Sequence, residues 1–288
     1  MHKYGEIMAQ DFTLHTHTTQ FDGKNTVAEM AQRAKDLGMS AIGISNHFIV
    51  HPDIKKTNFY PFAVRGGYSD IYMSSFVDAL AKYRQHYAEI DRVERDMRMP
   101  ILRGMELDYF YNENWRHGIE YAIKVLRPDY LIGACHLVEY DGQLYNVHDM
   151  KNADPEMREK LLRLYWQKVC DASASGLFTW MAHLDLPRKV GIGTSDKWRA
   201  TEEQVIKTLA QHNTPIEINM SLSPEPHPSY HILKMVSDTN IPVVISDDAH
   251  HVSQIGRHFD DAEKLIASHG IKNRLSLQKI LDFSNKTL

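Results

Sequence analysis

The stretch TLHTHTT, residues 13–19, places two histidines one residue apart directly after a short apolar run. Alternate residues of a β-strand point to the same side, so His15 and His17 can face one common site. The chain contains 17 histidines, and a lone histidine at a strand end is more often a packed or capping residue than a ligand. The interpretation as a metal-binding pair therefore depends on whether other strands supply further ligands.

Apolar runs typical of strands recur along the whole chain. They are FTLHTH (12–17), SAIGISNH (40–47), PILRGMELDYF (100–110), YLIGACHLV (130–138), FTWMAHLDL (178–186), TPIEINMS (214–221) and IPVVISDDAH (241–250). Most are short and bounded by polar residues, Gly or Pro, as buried parallel strands are. Helical patterns lie between many of them, such as TVAEMAQRAKDLG (26–38) and TEEQVIKTLAQHN (201–213). This alternation predicts an α/β fold, and seven strands fit a (β/α) barrel.

The composition sets limits on the class of protein. The chain has 288 residues, 43% of them hydrophobic, and a formal net charge of −4 without a Lys/Arg-rich run. These values disfavour a nonspecific nucleic-acid or membrane-surface binder. The first ten residues lack the apolar region of a secretory leader, and no stretch is apolar enough to span a bilayer. We therefore expect a cytoplasmic protein.

We expect residues 1–288 to form a single domain, interrupted by an insertion at about 49–98. The first half of the insertion is irregular and rich in Gly, Pro and aromatic residues, whereas SSFVDALAKYRQHYAEIDRVERDM (74–97) predicts a long helix. The irregular half fits either a lid over a site or a plain surface insertion.

Almost every predicted strand ends in a potential metal ligand. The candidates are His15, His17, His47, Glu106, His136, His183, Asp248 and His250, with Asp22 just beyond the first strand. The carboxyl ends of barrel strands meet on one face, so these side chains are expected to converge. Histidine and carboxylate without thiolate suit Zn²⁺, Mn²⁺ or Fe²⁺. Nine ligands are too many for one ion, so two or three ions are expected, with Glu106 a candidate to bridge a pair.

Six motifs occur in a fixed order within about residues 12–270: HTHTT, SNH, GMELD, GACH, AHLDL and SDDAH. Together they resemble the ordered motifs of the PHP (polymerase and histidinol phosphatase) superfamily. Within it, RPDYLIGACHLVEYDG, GLFTWMAHLDLPRK, PIEINMS and SDDAHH followed by IGRHF are most similar to histidinol-phosphate phosphatases.

The resemblance implies a distorted (β/α)7 barrel of the PHP type with a trinuclear metal centre. It assigns one ion to His15, His17, Glu106 and Asp248, a second to Glu106, His136 and His183, and a third to Asp22, His47 and His250. It also implies that Arg188, in HLDLPRK, binds the phosphate of a substrate. A guanidinium group offers paired donors to phosphate oxygens, which suits that role.

The chain departs from the family pattern at two places. Asn46 stands where an acidic residue usually precedes the histidine, and no basic residue follows the EIN motif in EINMSLSPEPHPS (217–229). Lys24, Arg65 and Arg257 are alternative cationic partners for a phosphate.

The leading hypothesis is a metal-dependent phosphoesterase of histidine biosynthesis that converts L-histidinol phosphate to L-histidinol and phosphate. Glu106 and Asp248 are the candidate catalytic residues, and His227, Asp248 and a metal-bound water are candidate proton donors to the leaving group. The alternatives are a PHP phosphoesterase for a nucleotide or another small ester, an amidohydrolase-type C–N hydrolase, and a non-catalytic metal-binding protein. The expected partner is a small phosphate ester, without nucleic acid or membrane, and the sequence leaves the oligomeric state open.

Overall fold

Seven parallel strands form a nearly closed barrel in the computed structural model, which describes residues 9–193, 196–221 and 225–287 and side chains as far as residue 282. The strands of the fold are β1 (Phe12–Thr13), β2 (Ala41–Ile44), β3 (His47–Val50), β4 (Tyr72–Met73), β5 (Ile101–Asp108), β6 (Tyr130–Ala134), β7 (Leu137–Tyr140), β8 (Gln143–Asn146), β9 (Trp180–Met181), β10 (Ile216–Asn219) and β11 (Val243–Ser246). The barrel order is β1-β2-β5-β6-β9-β10-β11, and β7 and β8 form a separate hairpin. The fold class predicted from the sequence is confirmed.

The barrel closes between β1 and β11 just beyond the ends of both strands. Thr16 and Ala249 form an isolated parallel bridge. The His17 backbone N–H donates to the carbonyl of Ala249 at 2.8 Å, and the Ala249 N–H donates to the carbonyl of His15 at 3.1 Å. The two histidines of the opening motif are therefore held by the closure of the barrel itself.

Strands β2 and β3 form one interrupted strand, because both pair in parallel with β5. Ile42 pairs with Ile101 and His47 pairs with Glu106, so the register is unchanged across the break at Ser45–Asn46. The strand pairing alone places His47 beside Glu106. The continuation of β3 then pairs with β4, inside the segment where the sequence predicted an insertion.

The helices are α1 (Val27–Asp36), α2 (Tyr60–Gly66), α3 (Phe76–Met97), α4 (Glu113–Leu126), α5 (Val147–Asn152), α6 (Pro155–Ala174), α7 (Arg199–His212), α8 (Tyr230–Thr239), α9 (Phe259–Ser268) and α10 (Leu277–Thr287). Helix α1 shows how the sequence sets its bounds. Thr26 and Glu29 form a reciprocal capping box, and the buried residues Val27, Met30, Ala31 and Ala34 follow the helical period. Among the described residues, no helix is both long and apolar enough to cross a membrane.

Apolar side chains fill the amino-terminal half of the barrel. Tyr130 stacks on Trp180 with ring centroids 5.2 Å apart, and Ile280 of α10 belongs to the same cluster. A Cβ atom at Gly43 or Gly104 would lie 2.2 Å from the Tyr130 hydroxyl, so only glycine fits beside this ring. The polar carboxyl-terminal half is left to form the site.

Candidate metal centre

The structure brings all nine predicted ligands together at the carboxyl ends of the barrel strands. Their donor atoms form four overlapping groups, each within 4.8 Å: His17, Asp22, His47 and His250; His15, His17 and Glu106; His15, His183 and Asp248; His47, Glu106 and His136. Six strand ends contribute side chains that are far apart in the sequence. This convergence follows from the parallel arrangement of the strands, as expected for a barrel.

Glu106 lies at the centre of the cluster and is fully buried. Its Oε1 atom lies 3.0, 3.3 and 3.4 Å from the Nε2 atoms of His183, His136 and His15. Its Oε2 atom faces the other way, 2.6 Å from Nδ1 of His47 and 3.6 Å from Nε2 of His17. The two oxygens of one carboxylate therefore serve two different sets of imidazoles, which is the arrangement of a bridging ligand.

Asp22 and Asp248 supply the remaining carboxylates. Oδ2 of Asp22 lies 3.2 Å from Nε2 of His47 and 3.3 Å from Nε2 of His250. Oδ1 of Asp248 lies 3.2 Å from Nε2 of His17 and 3.5 Å from Nε2 of His15. Two ligands of a tetrahedral ion with bonds of about 2.1 Å lie about 3.4 Å apart, so these separations suit a shared ion.

Many donor atoms of the cluster are buried without a hydrogen-bond partner among the described residues. They are Nε2 of His15, Nδ1 and Nε2 of His17, Oδ1 of Asp22, and Nδ1 of His47 and Oε2 of Glu106, which lie close together without forming a hydrogen bond. Nδ1 of His136 and of His183, whose Nε2 atoms face Glu106, also lack a partner. An unsatisfied buried polar group costs about 1–3 kcal/mol, so such a concentration is unfavourable unless these atoms bind something. The nitrogen and oxygen donors fit divalent metal ions of the zinc, manganese or iron type.

The electrostatics of the cluster also suit cations. Burial acts to raise the pKa of Glu106, but the rings of His47, His136 and His15 outweigh it and hold that pKa well below its ordinary value. Burial, together with the neighbouring rings of His250 and His47, lowers the pKa of His17. The surrounding carboxylates outweigh burial at His15 and His47 and raise the pKa of both rings. Ionised carboxylate and neutral imidazole are the forms that bind metal, so bound cations would take the place of protons on these two rings.

The family follows from a comparison with known protein families, in which a model of the PHP domain matches residues 11–221. The chain belongs to the PHP family.

Relatives of this PHP protein include a Deinococcus radiodurans protein named "probable histidinol-phosphatase". It is 26% identical over 255 residues, which are 85% of this chain and 88% of the relative. A crystal structure of a proposed histidinol phosphatase from Listeria monocytogenes superposes with a TM-score of 0.69 and 19% identity, over 87% of this chain and 99% of that one. The histidinol phosphate phosphatase of Lactococcus lactis, in complex with zinc, L-histidinol and phosphate, gives a TM-score of 0.66 and 16% identity, over 92% and 95%. At these identities the two structures support the fold.

Glu217 is a buried residue of the PHP site that the sequence analysis did not single out. Its Oε2 atom lies 2.8 Å from Nδ1 of His15, and its Oε1 atom accepts the backbone N–H of His183 at 3.0 Å. Ser246 and Asn219 complete its hydrogen bonds at 2.9 Å each. Glu217 therefore leaves Nε2 of His15 as the free ring nitrogen of that side chain. The signal in the sequence was a charged residue within the apolar strand pattern PIEINMS.

Asp108 fixes the turn that carries His136. Its Oδ1 atom accepts the backbone N–H of His136 at 3.1 Å and a hydrogen bond from Nζ of Lys168 at 3.1 Å. Lys168 also donates to the carbonyl of Leu137 at 2.6 Å and lies over the ring of Phe110. This charged pair ties the ends of β5 and β6 to α6, beside the metal-ligand candidates.

The guanidinium group of Arg188 already donates hydrogen bonds to three groups of the protein. Its Nη1 atom donates to Oδ2 of Asp185 at 2.8 Å and to the carbonyl of Pro226 at 2.9 Å, and its Nη2 atom donates to Oε2 of Glu225 at 3.3 Å. Glu225 is 58% exposed, so a phosphate could exchange with it more easily than with the buried Asp185.

The other cationic candidates lie in different surroundings. The backbone N–H of Lys24 donates to the carbonyl of His250 at 2.7 Å, which places this exposed residue next to a proposed ligand. The guanidinium of Arg65 packs over the ring of Phe62 at 4.4 Å, and Arg257 is exposed.

Proposed function

We propose that this PHP protein is a metal-dependent phosphoesterase that hydrolyses L-histidinol phosphate to L-histidinol and phosphate. The convergence of nine histidine and carboxylate side chains on one buried cluster carries the proposal. The relative from Deinococcus radiodurans supports the reaction class, and the Lactococcus lactis structure supports the substrate, because it contains zinc, L-histidinol and phosphate. The partner is then a small phosphate ester.

The cluster would hold two or three divalent ions. We assign one ion to His15, His17, Glu106 and Asp248, one to Glu106, His136 and His183, and one to Asp22, His47 and His250. Glu106 supports a bridge between the first two sites, because its Oε1 atom faces His136 and His183 of the second set and its Oε2 atom faces His17 of the first. His15 of the first set lies on the Oε1 side, and His47 of the third lies on the Oε2 side. The position of Asp22 between His47 and His250 supports the third.

Bound ions of this kind lower the pKa of water and neutralise charge on a phosphate, which is the chemistry that ester hydrolysis needs. The residues of the chain set the geometry. Glu217 orients His15, and Asp108 holds the backbone at His136. The backbone β-bridge between Thr16 and Ala249 fixes the His15–His17 pair. These contacts pre-organise the ligands before substrate binds.

Arg188 would bind the phosphoryl group through the edge that now faces Glu225. Its bond to the buried Asp185 would hold the guanidinium in place while Glu225 moves toward solvent. A fixed guanidinium presents two parallel donors to phosphate, whereas a flexible lysine ammonium does not.

The test is phosphate release by protein loaded with Mn²⁺ or Zn²⁺, using L-histidinol phosphate, AMP and p-nitrophenyl phosphate, with chelator-treated protein as control. We expect a kcat/KM of about 10⁴ M⁻¹ s⁻¹ or more for L-histidinol phosphate and loss of activity with chelator. Faster turnover of another ester would reassign the substrate. The absence of phosphate release from every ester by metal-loaded protein would contradict the proposal.

A further inference from the structure

A buried carboxylate–imidazole pair lies outside the nine ligand candidates. Nδ1 of His227 lies 2.6 Å from Oδ1 of Asp185, and both side chains are 2% exposed. Oδ2 of the same carboxylate accepts the backbone N–H of Ser229 and Nη1 of Arg188, each at 2.8 Å. Every oxygen of Asp185 is thus occupied, which fixes its orientation toward the imidazole.

The backbone places this pair at the edge of the metal centre. His227 exchanges two hydrogen bonds with Asn219 at the end of β10, with N···O distances of 2.9 and 2.7 Å. The side chain of Asn219 in turn donates to Glu217, the residue that orients His15. Asp185 follows the ligand candidate His183 by two residues. The imidazole of His227 is therefore anchored to two strand ends that carry the site.

The other ring nitrogen of His227 is unused by the protein. Nε2 is buried and has no hydrogen-bond partner among the residues that the structure describes. Oδ1 of Asp185 accepts a hydrogen bond from the Nδ1–H of His227. The ring is thereby oriented with Nε2 directed away from Asp185.

We propose that His227 is a substrate-binding residue whose Nε2–H donates a hydrogen bond to a phosphoryl oxygen of the ester, with Asp185 as its positioning residue. The inference rests on the proposed phosphoesterase function and adds a second donor beside Arg188. Arg188 and His227 share the carboxylate of Asp185, so the two donors are held at a fixed separation. An imidazolium between a carboxylate and a phosphate makes a charge-assisted hydrogen bond to each.

The test compares His227→Phe, which removes the donor, with His227→Gln, which keeps an amide donor on a side chain of similar length. His212→Gln, at the exposed end of α7, is the matched control. The measurements are KM and kcat for L-histidinol phosphate, the Kd of inorganic phosphate for metal-loaded protein by calorimetry, and the metal content of each variant.

We expect His227→Phe to raise both KM and the phosphate Kd by about tenfold or more, the loss typical of a charged hydrogen bond, with unchanged metal content. His227→Gln should recover most of the phosphate affinity, and His212→Gln should match the wild type. Wild-type phosphate affinity in His227→Phe would overturn the inference, as would a loss of affinity accompanied by loss of metal or not rescued by Gln. Phosphate binding is measured without turnover, so failure of the inference is distinguishable from failure of the proposed reaction.

Discussion

Nδ1 of His15 lies 2.8 Å from Oε2 of Glu217, and neither side chain is exposed to solvent. The two residues lie 202 positions apart in the sequence and meet because β1 and β10 are neighbours of β11 in the barrel wall. Burial acts to raise the pKa of Glu217, but its contact with His15 outweighs it and lowers that pKa. The carboxylate therefore stays ionised and fixes the ring nitrogen that faces the centre.

Replacing Glu217 with Gln should weaken metal binding. The substitution keeps the size of the side chain but removes the charge and one of the acceptor oxygens that hold His15 and the backbone of His183. We expect metal affinity to fall about 10–100-fold, the usual cost of losing such a supporting partner. Competition with a coloured chelator measures this, with the exposed Glu120→Gln as control. Unchanged affinity in Glu217→Gln would show that His15 needs no orienting partner.

Replacing Arg188 with Lys should weaken substrate binding without removing metal. Lysine keeps the charge but cannot maintain the bonds to Asp185 and Pro226 while presenting a second donor to phosphate. We expect KM for the phosphate ester to rise about tenfold with metal content unchanged. Steady-state kinetics measure this, with Lys189→Met on the same 3₁₀ turn as control. A KM of Arg188→Lys equal to that of the wild type would show that Arg188 does not bind the substrate.

Asn46 fits this chain because its buried neighbour is a neutral histidine. Its Nδ2 atom lies 2.9 Å from Nε2 of His86, and its Oδ1 atom accepts the backbone N–H of Thr18 at 2.8 Å. The amide thus donates to a ring nitrogen that carries no proton. Burial and the nearby Lys82 lower the pKa of His86 to about 3, which agrees with a neutral ring.

Asn46→Asp should raise the pKa of His86 toward or above its ordinary value of 6.5, because a carboxylate would face the ring nitrogen. In the wild type, the native state excludes a proton that the unfolded state binds, so stability is lost as pH falls from about 6.5 toward 3. In Asn46→Asp this loss should be smaller. NMR titration of ¹⁵N-labelled histidine measures the pKa, with the exposed Asn152→Asp as control. A His86 ring that stays neutral at pH 5 in Asn46→Asp would contradict the interpretation.

Glu202→Gln should stabilise the protein at alkaline pH. Burial, and then the charge of Asp185, raise the pKa of Glu202 from 4.5 to about 7. The native carboxyl holds a proton that the unfolded state loses, so stability falls as pH rises from about 4.5 through 7. Above pH 7 the Gln variant should therefore gain about 1–3 kcal/mol over the wild type, and the gain should vanish below pH 4.5. Urea unfolding above pH 7 and below pH 4.5 measures this gain in stability, with the exposed Glu203→Gln as control. An equal gain under the two conditions would rule out titration of Glu202 as the cause.

The barrel and the convergence of the ligand candidates could be predicted because both depend on local patterns. Each candidate follows directly on an apolar strand, and parallel strands place their carboxyl ends on one face. The HTH motif is positioned by residues only a short distance away in the sequence. The convergence of Glu106 with His47 needs only the register of two paired strands.

The roles of the supporting residues could not be predicted, because they depend on long-range contacts. Glu217 sits in an alternating strand, where the sequence does not say which partner its charge meets. His227 contacts Asp185, which lies 42 positions away in the sequence, because the chain returns to β10 and pairs His227 with Asn219. Helix α4 did have a local signal, in the buried spacing of Trp115, Ile119, Ala122, Ile123 and Leu126, that the sequence analysis did not use.

The central claim is that Glu106 bridges metal ions within a cluster of nine ligands, and metal stoichiometry tests it most directly. Wild-type protein and Glu106→Gln would be equilibrated with Zn²⁺ or Mn²⁺, freed of unbound ion and measured by elemental analysis. We predict two to three ions per chain for the wild type and loss of at least one in Glu106→Gln. A wild type with fewer than two ions per chain, or a variant that retains the full wild-type content, would contradict the account.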